Sequence, residues 1–375
     1  MKIAHFSDTH LGFSDYTKVD PVLGINLREA DVYRAFSQVI DYIVKNPPDI
    51  LIHSGDLFDN NRPSNRAINI ALKEIAGISR KKIPFVLISG NHSTPRIKSS
   101  GSIFESFEIF ENVYPVYKSK YEEIVIKDTA LHCVPHMSTE QELNKVFQDI
   151  KLNSKAKYNI IVAHLGITAD VQYKMGEFNE LIIPAGVLKQ KQGFDYIALG
   201  HYHENSEIAG NTYYAGSTEH FSFNEAGQTK GFMEIDLNKK EFKFIPIKAR
   251  EMLMLEAINC ENIGIEGIVN KIELMSKDNI KDKIIQITFD NISKHKYVEL
   301  DLRRIKEITA DAAYAKFVCN FAAEKGRKTT KTAIGALTAE FESFLEKQAV
   351  EDLNKEKLKE LGVQYLSVIE ESEES

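Results

Sequence analysis

Short runs of Val, Ile, Leu and Phe at the start of the chain alternate with longer segments of helical spacing. The runs at 2–6, 49–54 and 83–88 predict buried parallel strands, because they lack the alternation of half-exposed strands. Segments 30–45 and 65–79 carry apolar residues three and four positions apart, which predicts helices. A strand–helix–strand–helix–strand order is typical of a parallel sheet with right-handed crossovers.

The chain up to residue 247 then predicts two more helices and a second group of strands. Apolar stripes place the helices at 99–110 and 138–150, and Ser138 and Thr139 suit the start of the latter. The further strands are predicted near 113–134, with a hairpin at Lys127-Asp128, and at 158–163, 194–199, 212–215, 230–236 and 241–247. Together these elements predict an α/β fold.

The distribution of histidine predicts a domain boundary near residue 250, because His295 is the only histidine after His220. The segment beyond the boundary has a β-α-β-α-β pattern, with strands near 252–258, 283–290 and 314–321 and helices near 263–276 and 299–310. We therefore predict a main domain at 1–248 and a small second domain at 249–323. We predict a polar, basic linker at 324–337. The sequence of 338–375 predicts a helix at 338–359 followed by an acidic tail.

Bulk properties restrict the class of protein. The 375 residues suffice for two domains. No segment approaches the ~20 apolar residues of a membrane span, so we expect a soluble, cytoplasmic protein without membrane contact. Cys133, Cys260 and Cys319 are too widely spaced to indicate a disulfide framework or a structural zinc site. Residues 340–375 hold 11 acids and 4 lysines, which equals the whole net charge of −7, so the body is neutral.

Side chains that bind metals follow five of the predicted strands. In chain order they are Asp8 and His10, Asp56, Asn91 with His92, His164, and His201 with His203. A mixed set of Asp, Asn and His favours Mn, Fe or Zn over Ca. Two cations ~3.5–4 Å apart need a bridging carboxylate, and Asp56 is the best candidate because it follows a middle strand.

Each of these motifs has an alternative, purely structural interpretation. A lone Asp-x-His or His-x-His arises by chance, and an isolated histidine is usually a satisfied polar residue. The recurrence of such residues at one strand end after another favours a two-metal site. The structural interpretation is kept for the remaining histidines, which are His5, His53, His132, His136, His220 and His295.

With all these motifs in view, the first 250 residues resemble the calcineurin-like metallophosphoesterases. The resemblance is closest to the nuclease subunits of the DNA double-strand-break repair complex, whose bacterial form is SbcD and which work with a coiled-coil ABC-type ATPase. It rests on the segments His5–Gly12 (HFSDTHLG), His53–Asp59 (HSGDLFD), Arg62–Ser64 (RPS), Gly90–His92 (GNH), Ala198–His203 (ALGHYH) and Tyr214–Glu219 (YAGSTE).

The resemblance implies a four-layer α/β/β/α sandwich with a binuclear metal centre, and it implies a role for each residue. Asp8, His10 and His203 would bind one metal, and Asn91, His164 and His201 would bind the other. Asp56 would bridge them, and two Mn²⁺ per subunit are expected. His92 would stabilise the pentacoordinate phosphate or protonate the leaving oxygen.

The same resemblance implies roles for the rest of the chain. Residues 249–323 would form a capping domain that contacts DNA, through basic residues that include Lys271, Lys277, Lys281, Lys283, Lys294, Lys296, Arg303, Arg304 and Lys306. The helix at 338–359 would dock on the ATPase, and helices 65–79 and 99–110 would form a homodimer. The alternatives are solvation of the surface by these charges and packing of these helices on their own core.

The activity expected from the sequence is Mn²⁺-dependent endonucleolytic and 3′-to-5′ exonucleolytic cleavage of DNA, in which metal-activated water attacks the phosphodiester and His92 assists. If the source is prokaryotic, we expect the protein at the nucleoid. The first rival is a phosphatase or phosphodiesterase of the same fold that acts on small molecules, for which the second domain and detached helix are superfluous. The second is a non-catalytic scaffold, which would have lost ligands that this sequence retains.

Overall fold

The structure is a computed structural model that describes residues 1–94, 101–168, 180–191, 193–277, 280–322, 341, 345 and 355–363. The chain divides into two compact units, Met1–Asn320 and Phe321–Ser375. Within the described residues of the first unit, two six-stranded sheets and a smaller third sheet account for most of the strands.

The first sheet has the strand order β14-β13-β1-β2-β3-β4. Strands β1 to β4 are parallel neighbours, and β13 and β14 extend the sheet as an antiparallel edge. The strands are β1 (Lys2–Phe6), β2 (Ile50–His53), β3 (Phe85–Ile88), β4 (Val113–Val116), β13 (Gly231–Asp236) and β14 (Glu241–Pro246). Its crossover helices are α1 (Leu27–Lys45) and α2 (Asn65–Arg80).

The second sheet has the order β11-β12-β10-β7-β6-β5. Its strands are β5 (Glu122–Ile126), β6 (Thr129–Val134), β7 (Tyr158–His164), β10 (Tyr196–Gly200), β11 (Ser206–Ala209) and β12 (Thr212–Tyr214). Its helices are α3 (Glu140–Asp149), capped by Thr139, and α4 (Ala185–Lys189). A two-stranded pair, β8 (Gly166–Thr168) with β9 (Ile182–Pro184), lies between β7 and α4 in sequence.

The two sheets pack face to face, and helices cover their outer faces. Successive residues of a strand point to opposite faces, so Leu51 packs towards α1 and α2 while Ile52 packs between the sheets. Ile160 likewise faces the first sheet, and Ile161 faces α3 and α4. The layers therefore run α/β/β/α, which confirms the predicted fold class.

The predicted helix at 99–110 is wrong in type and length where the structure describes it. Only Ile103–Phe107 is helical, and it is a 3₁₀ helix. Side chains at i and i+3 eclipse in a 3₁₀ helix, which turns both Phe104 and Phe107 into the core beside α2. Helix α1 also begins three residues earlier than predicted, because Asn26 caps it by accepting from the backbone N–H of Arg28.

The third sheet has β17 at its centre. Its elements are β15 (Met252–Met254), β16 (Ile258–Asn259), α5 (Ile265–Ser276), β17 (Ile284–Ile292), α6 (Lys294–Glu299), α7 (Leu302–Ile308) and β18 (Tyr314–Phe321). Both β15 and β16 pair in parallel with β17, and three residues (255–257) face two of its residues (287–288) between them. One extra residue thus divides the strand predicted at 252–258 into two. Asp301 caps α7, so the helix predicted at 299–310 begins three residues later, at Leu302, and the short helix α6 precedes it.

Contacts of one arginine and one aromatic pair join the third sheet to the sandwich. Arg250 Nε and Nη2 donate to the two oxygens of Asp31 at 2.6 and 2.8 Å, and its Nη1 donates to the Asp282 carbonyl at 2.7 Å. Tyr16 stacks on Tyr314 with 3.8 Å between ring centroids. The third sheet is therefore fixed to the loop that follows β1 and to helix α1.

In the second unit, the described residues 341, 345 and 355–363 are helical. Gly362 lies against the ring of Phe341. Most of the predicted helix at 338–359, the predicted linker and the acidic tail lie outside the described residues. No helix in the described part of the chain is long and apolar enough to cross a membrane.

Candidate metal centre

The predicted ligands lie where strands of both sheets end. Asp8, Asp56 and Asn91 follow the adjacent strands β1, β2 and β3, and His164 and His201 end or follow the adjacent strands β7 and β10. The two sets meet across the sandwich: His201 N–H donates to both oxygens of Asp8 at 3.1 Å, and His164 Nδ1 donates to the Ser54 carbonyl at 2.9 Å.

Two glycines make this close approach of the sheets possible. A Cβ at Gly200 would lie 2.2 Å from the Ser54 carbonyl oxygen, and a Cβ at Gly55 would lie 2.1 Å from His164 Nδ1. Real Cβ atoms do not come so near to other atoms, so a side chain at either position would push the sheets apart.

Four of the predicted ligands have left-handed backbone. The φ angles are 50° at Asp8, 45° at His10, 54° at Asp56 and 107° at His201. Residues other than glycine are uncommon in this region, although Asp, Asn and His tolerate it better than most. Such strained backbone conformations persist at functional sites when the surrounding structure fixes them.

Three groups of side chains have donor atoms close enough to share an ion. The first is Asp8, His10 and His203, the second is Asp8, Asp56 and His164, and the third is His10, Asp59 and His92; within each group the donor atoms lie within 4.8 Å of one another. Asn91 joins the second group, since its Oδ1 lies 2.9 Å from His164 Nε2. The structure thus brings most predicted ligands together, with Asp8 common to the first two groups. His201 belongs to none of the three, but its ring centroid lies 5.3 Å from that of His164.

The histidines are oriented as metal ligands require. His164 Nδ1 and His203 Nδ1 are held by oxygen acceptors, the Ser54 carbonyl at 2.9 Å and Glu225 Oε1 at 3.0 Å. His10 Nδ1 lies 3.5 Å from Asp59 Oδ1. An Nδ1 proton leaves the lone pair on Nε2 for a metal.

The Nε2 atoms of His10 and His201 suit a divalent cation. His10 Nε2 and His201 Nε2 are buried and make no hydrogen bond to the protein; the Glu180 carboxylate is 3.3 Å from the latter without hydrogen-bond geometry. Buried polar atoms are almost always satisfied, so unsatisfied imidazole nitrogens beside two carboxylates suit divalent metals. The donor set of imidazole, carboxylate and amide matches Mn, Fe or Zn.

The contact between Asp56 and His164 shifts the pKa of each. Burial on its own raises the pKa of Asp56 and lowers that of His164, because it disfavours charge. Their 3.1 Å ion pair outweighs burial, so the pKa of Asp56 lies well below its usual range and that of His164 is raised to about 9. A cation would compete with the His164 proton, and metal binding should weaken as the pH falls.

His92 lies beside the first two groups and, with His10 and Asp59, forms the third. Its backbone N–H donates to Asp56 Oδ1 at 3.0 Å, and its Nδ1 donates to the Asp59 carbonyl at 2.8 Å. Its ring centroid is 4.7 Å from that of His10. Since a carbonyl only accepts, Nδ1 carries a proton, and any second proton resides on Nε2.

The remaining histidines are embedded in the protein, with one exception. His5 contacts Tyr196 and Ser54, His53 contacts Thr9, His132 contacts Tyr121 and Asn159, and His220 contacts Glu219. His295 is exposed and pairs with Glu299. Unlike the other buried histidines, His136 lines a cavity of about 1030 Å³ next to Asn91.

Sequence reasoning missed three carboxylates at the centre, Asp59, Glu180 and Glu225. Asp59 ends the segment HSGDLFD, so its nearness to the site could have been inferred. Glu225 lies in a short 3₁₀ turn, Phe223–Glu225, and nothing in its local sequence distinguishes it from a solvated loop residue.

Comparison with known proteins gives one family and several relatives. The model of the calcineurin-like phosphoesterases matches residues 1–205. The chain is 27% identical over 298 residues to the "DNA double-strand break repair protein Mre11" of Sulfolobus acidocaldarius, which covers 75% of this chain and 72% of the relative. To the protein of that name from Sulfurisphaera tokodaii it is 28% identical over 346 residues, which covers 88% of this chain and 83% of the relative.

A solved purple acid phosphatase from yellow lupin seeds matches with a TM-score of 0.37 and 15% identity, over 62% of this chain and 48% of that one. The family match spans more than half of the chain and includes every predicted ligand. This chain therefore belongs to the calcineurin-like phosphoesterase family.

Proposed function

We propose that this protein is a DNA nuclease that processes ends in double-strand-break repair, by endonucleolytic and 3′-to-5′ exonucleolytic cleavage. The observation that best supports this proposal is the buried centre of Asp, Asn and His side chains in a chain whose relatives are named DNA double-strand break repair proteins. The match to the Sulfurisphaera tokodaii protein covers 88% of this chain, so it must include most of the third sheet. A small-molecule phosphatase has no need of that sheet.

The ligand roles that we propose extend the first two groups of donors. Asp8, His10 and His203 would hold one cation, Asn91, His164 and His201 would hold the other, and Asp56 would bridge them, although Asp8 is the carboxylate that the two groups share; we propose Mn²⁺ for both. When bound, such a pair polarises the phosphodiester and lowers the pKa of water to make hydroxide available near neutral pH.

His92 is proposed to act on the leaving oxygen. The Asp59 carbonyl fixes Nδ1 as a donor, so the ring delivers a proton only from Nε2. The hydrogen bond from its backbone N–H to Asp56 Oδ1 anchors the backbone of His92 to the proposed bridging residue. This geometry suits a general acid that holds its proton beside the metals without ligating them.

The cavity beside Asn91 supports a polymeric substrate. It measures about 1030 Å³ and is lined by Lys118, Lys120 and Lys145 as well as by two glutamates. Lysines along a groove neutralise the backbone phosphates of a nucleic acid. A single strand could thus continue away from the metals along this groove.

Some basic residues of the proposed capping domain, 249–323, have partners within the protein. Lys296 Nζ donates to the carbonyls of Cys260, Glu261 and Ile263. Lys283 pairs with Glu251, and Arg304 pairs with Glu266 and Glu273. A DNA phosphate would have to displace these partners, so any DNA contact at this sheet falls more readily to other lysines.

We also propose a homodimer and a coiled-coil ABC-type ATPase partner, with 324–337 as the linker and 338–375 as the docking segment. We place the complex in the cytoplasm with the DNA. Phe104 and Phe107 are buried in the core, so a dimer surface near them must use exposed neighbours such as Ile109, which is 76% exposed.

The test is cleavage of end-labelled duplex and single-stranded DNA with Mn²⁺, beside a small chromogenic phosphodiester. Wild type and the matched control His295→Asn should cut DNA, and a chelator should stop both. His92→Asn should retain Mn²⁺ and lose about 10²–10⁴-fold in rate. Loss of Mn²⁺ by His92→Asn would contradict its role, and turnover of the small ester with DNA untouched, even with the ATPase added, would favour a small-molecule enzyme.

The partner proposal has a separate test. Deleting 338–375 should leave Mn²⁺-dependent cleavage unchanged and abolish co-purification with the ATPase. Co-purification of the shortened chain at the wild-type level would place the docking surface elsewhere.

A further inference from the structure

A buried lysine lies behind the proposed metal centre. Lys230, the residue before β13, is 2% exposed. Its Nζ lies 2.6 Å from Glu225 Oε2, 2.9 Å from Ser217 Oγ and 3.1 Å from the His203 carbonyl oxygen, and Gln228 Oε1 is a fourth acceptor at 2.8 Å. An ammonium has three protons, so acceptors fully surround this one.

Glu225 connects this lysine to the His203 ring. One of its oxygens accepts from Lys230, and the other lies 3.0 Å from His203 Nδ1. The backbone N–H of Phe221 also donates to that second oxygen at 3.2 Å. His203 is therefore held twice, at its ring by Glu225 and at its own carbonyl by Lys230.

This arrangement fixes which nitrogen of His203 faces the centre. A carboxylate at Nδ1 requires the proton there and leaves the lone pair on Nε2. The corresponding contact of His10, from its Nδ1 to Asp59 Oδ1, is longer at 3.5 Å. Of these two ligand candidates in the first group, His203 has the shorter contact between Nδ1 and a carboxylate.

Fold stability gives no sufficient reason for the pair. Burying a lysine and a glutamate costs desolvation, and apolar replacements of buried ion pairs are often neutral or stabilising. The remaining explanation is that the pair fixes the ring and the backbone carbonyl of His203.

We propose that Glu225 and Lys230 are positioning residues that hold His203 with Nε2 directed at one of the two metals. The proposal rests on the proposed function, in which His203 is a ligand. It assigns to these residues the affinity of one metal site and no contact with substrate.

The experiment measures Mn²⁺ binding to the full-length protein by titration calorimetry, with the electron paramagnetic resonance of the bound Mn²⁺ pair as a second readout. The variants are Glu225→Ala, Glu225→Gln and Lys230→Met. Ile235→Val is the matched control, since it lies on the strand that Lys230 precedes, is buried and only loses a methyl group.

Wild type should bind two ions. Glu225→Ala should weaken one of them by about 10–100-fold and spare the other, with loss of the spin-coupled signal at limiting Mn²⁺. Glu225→Gln should weaken the same site less, because its amide oxygen still accepts from Nδ1. Lys230→Met should also affect only that site, and Ile235→Val neither.

Two results would overturn the proposal: wild-type affinity at both sites in Glu225→Ala, or equal weakening of both sites in every variant. If Glu225→Ala does not fold, Glu225→Gln and Lys230→Met decide in the same way. A wild type that binds no divalent ion would instead refute the proposed metal centre itself.

Discussion

The edge of the sandwich, where the proposed ligands lie, differs from the third sheet in which side chains are buried and in backbone conformation. Buried polar side chains crowd the edge, and several occupy left-handed backbone. In the described residues beyond Glu251, Thr309 is the only buried polar side chain, and the core is Ile-rich around Phe289. There, positive φ among residues other than glycine occurs at Asp282 and Asn291, types that tolerate it.

The difference shows where this fold loses stability in order to hold the residues of the proposed metal centre. Local preference and core packing agree throughout the third sheet, which is the ordinary condition of a foldable sequence. At the sandwich edge they conflict, both at residues proposed to bind metal and at the buried Glu225–Lys230 pair behind them. Paired substitutions, one in each region, test this comparison directly.

The largest effect is expected for the proposed bridge. Asp56→Asn preserves the acceptor for the His92 N–H and tolerates the φ of 54°, but it removes the charge. Cleavage should fall by about 10³-fold, because a metal supplies several kcal/mol and each ~1.4 kcal/mol is tenfold. The rise in Tm on adding Mn²⁺ should vanish with it. Asp290→Asn in the third sheet should change neither, and a retained Mn²⁺ shift in Asp56→Asn would remove the assignment of Asp56.

The next effect concerns two glycines changed in the same way. Gly200→Ala should cost about 3 kcal/mol of unfolding free energy, since its Cβ would meet the Ser54 carbonyl. Gly267→Ala, within α5, should stabilise by about 0.5 kcal/mol, since its Cβ meets only Ile263 at an ordinary 3.5 Å. Denaturant unfolding measures both, and equal values would contradict the proposed contrast.

A smaller effect is expected where the regions join. Arg250→Met should cost about 2 kcal/mol, because Asp31 is buried and keeps only Arg28 and Arg34 as partners. Arg304→Met removes an exposed ion pair within the third sheet and should leave the free energy of unfolding nearly unchanged. Unfolding curves would show whether the arginine at the junction is the more important one.

The last effect is a dependence on pH, which is similar in size to that of Arg250→Met. Burial lowers the pKa of His5 to about 3, whereas an unfolded histidine titrates near 6.5. As the pH falls from 6.5, the unfolded chain takes a proton that the folded chain refuses, so stability is lost down to about pH 3. By pH 5 the loss from this residue is about 2 kcal/mol.

His5→Gln should therefore reduce the fall in stability between pH 7 and pH 5, while His295→Gln should leave it unchanged. Other buried histidines keep part of the slope, so the comparison is between variants. An unaltered slope in His5→Gln would show that His5 accepts a proton within the folded protein.

The layered fold and the proposed ligands were accessible from the sequence for one physical reason. Buried strands are continuous apolar runs, so the first polar residues after them mark the edge of a sheet. Asp8, Asp56 and His164 stand at such points. Parallel order then brings these edges together, without knowledge of any side-chain contact.

What escaped the sequence depends on contacts between distant segments. Glu225 acquires its position only when the turn at 223–225 packs behind His203. The 3₁₀ helix had a local signal, since Phe104 and Phe107 are three apart, but their apolar stripe fits an α-helix as well. Asn26 and Asp301 were suitable caps, and closer attention to them would have corrected the starts of α1 and α7.

The left-handed backbone at Asp8 and Asp56 also shapes how this protein can diverge. Side chains such as Ala or Val are strained at a φ near 50°, whereas Asn and Gly are accommodated. A descendant lineage that abandoned the metals would thus drift first to Asn or Gly at these two positions. The loops would keep their course long after the chemistry was lost, so an inactive descendant would retain the outline of the site.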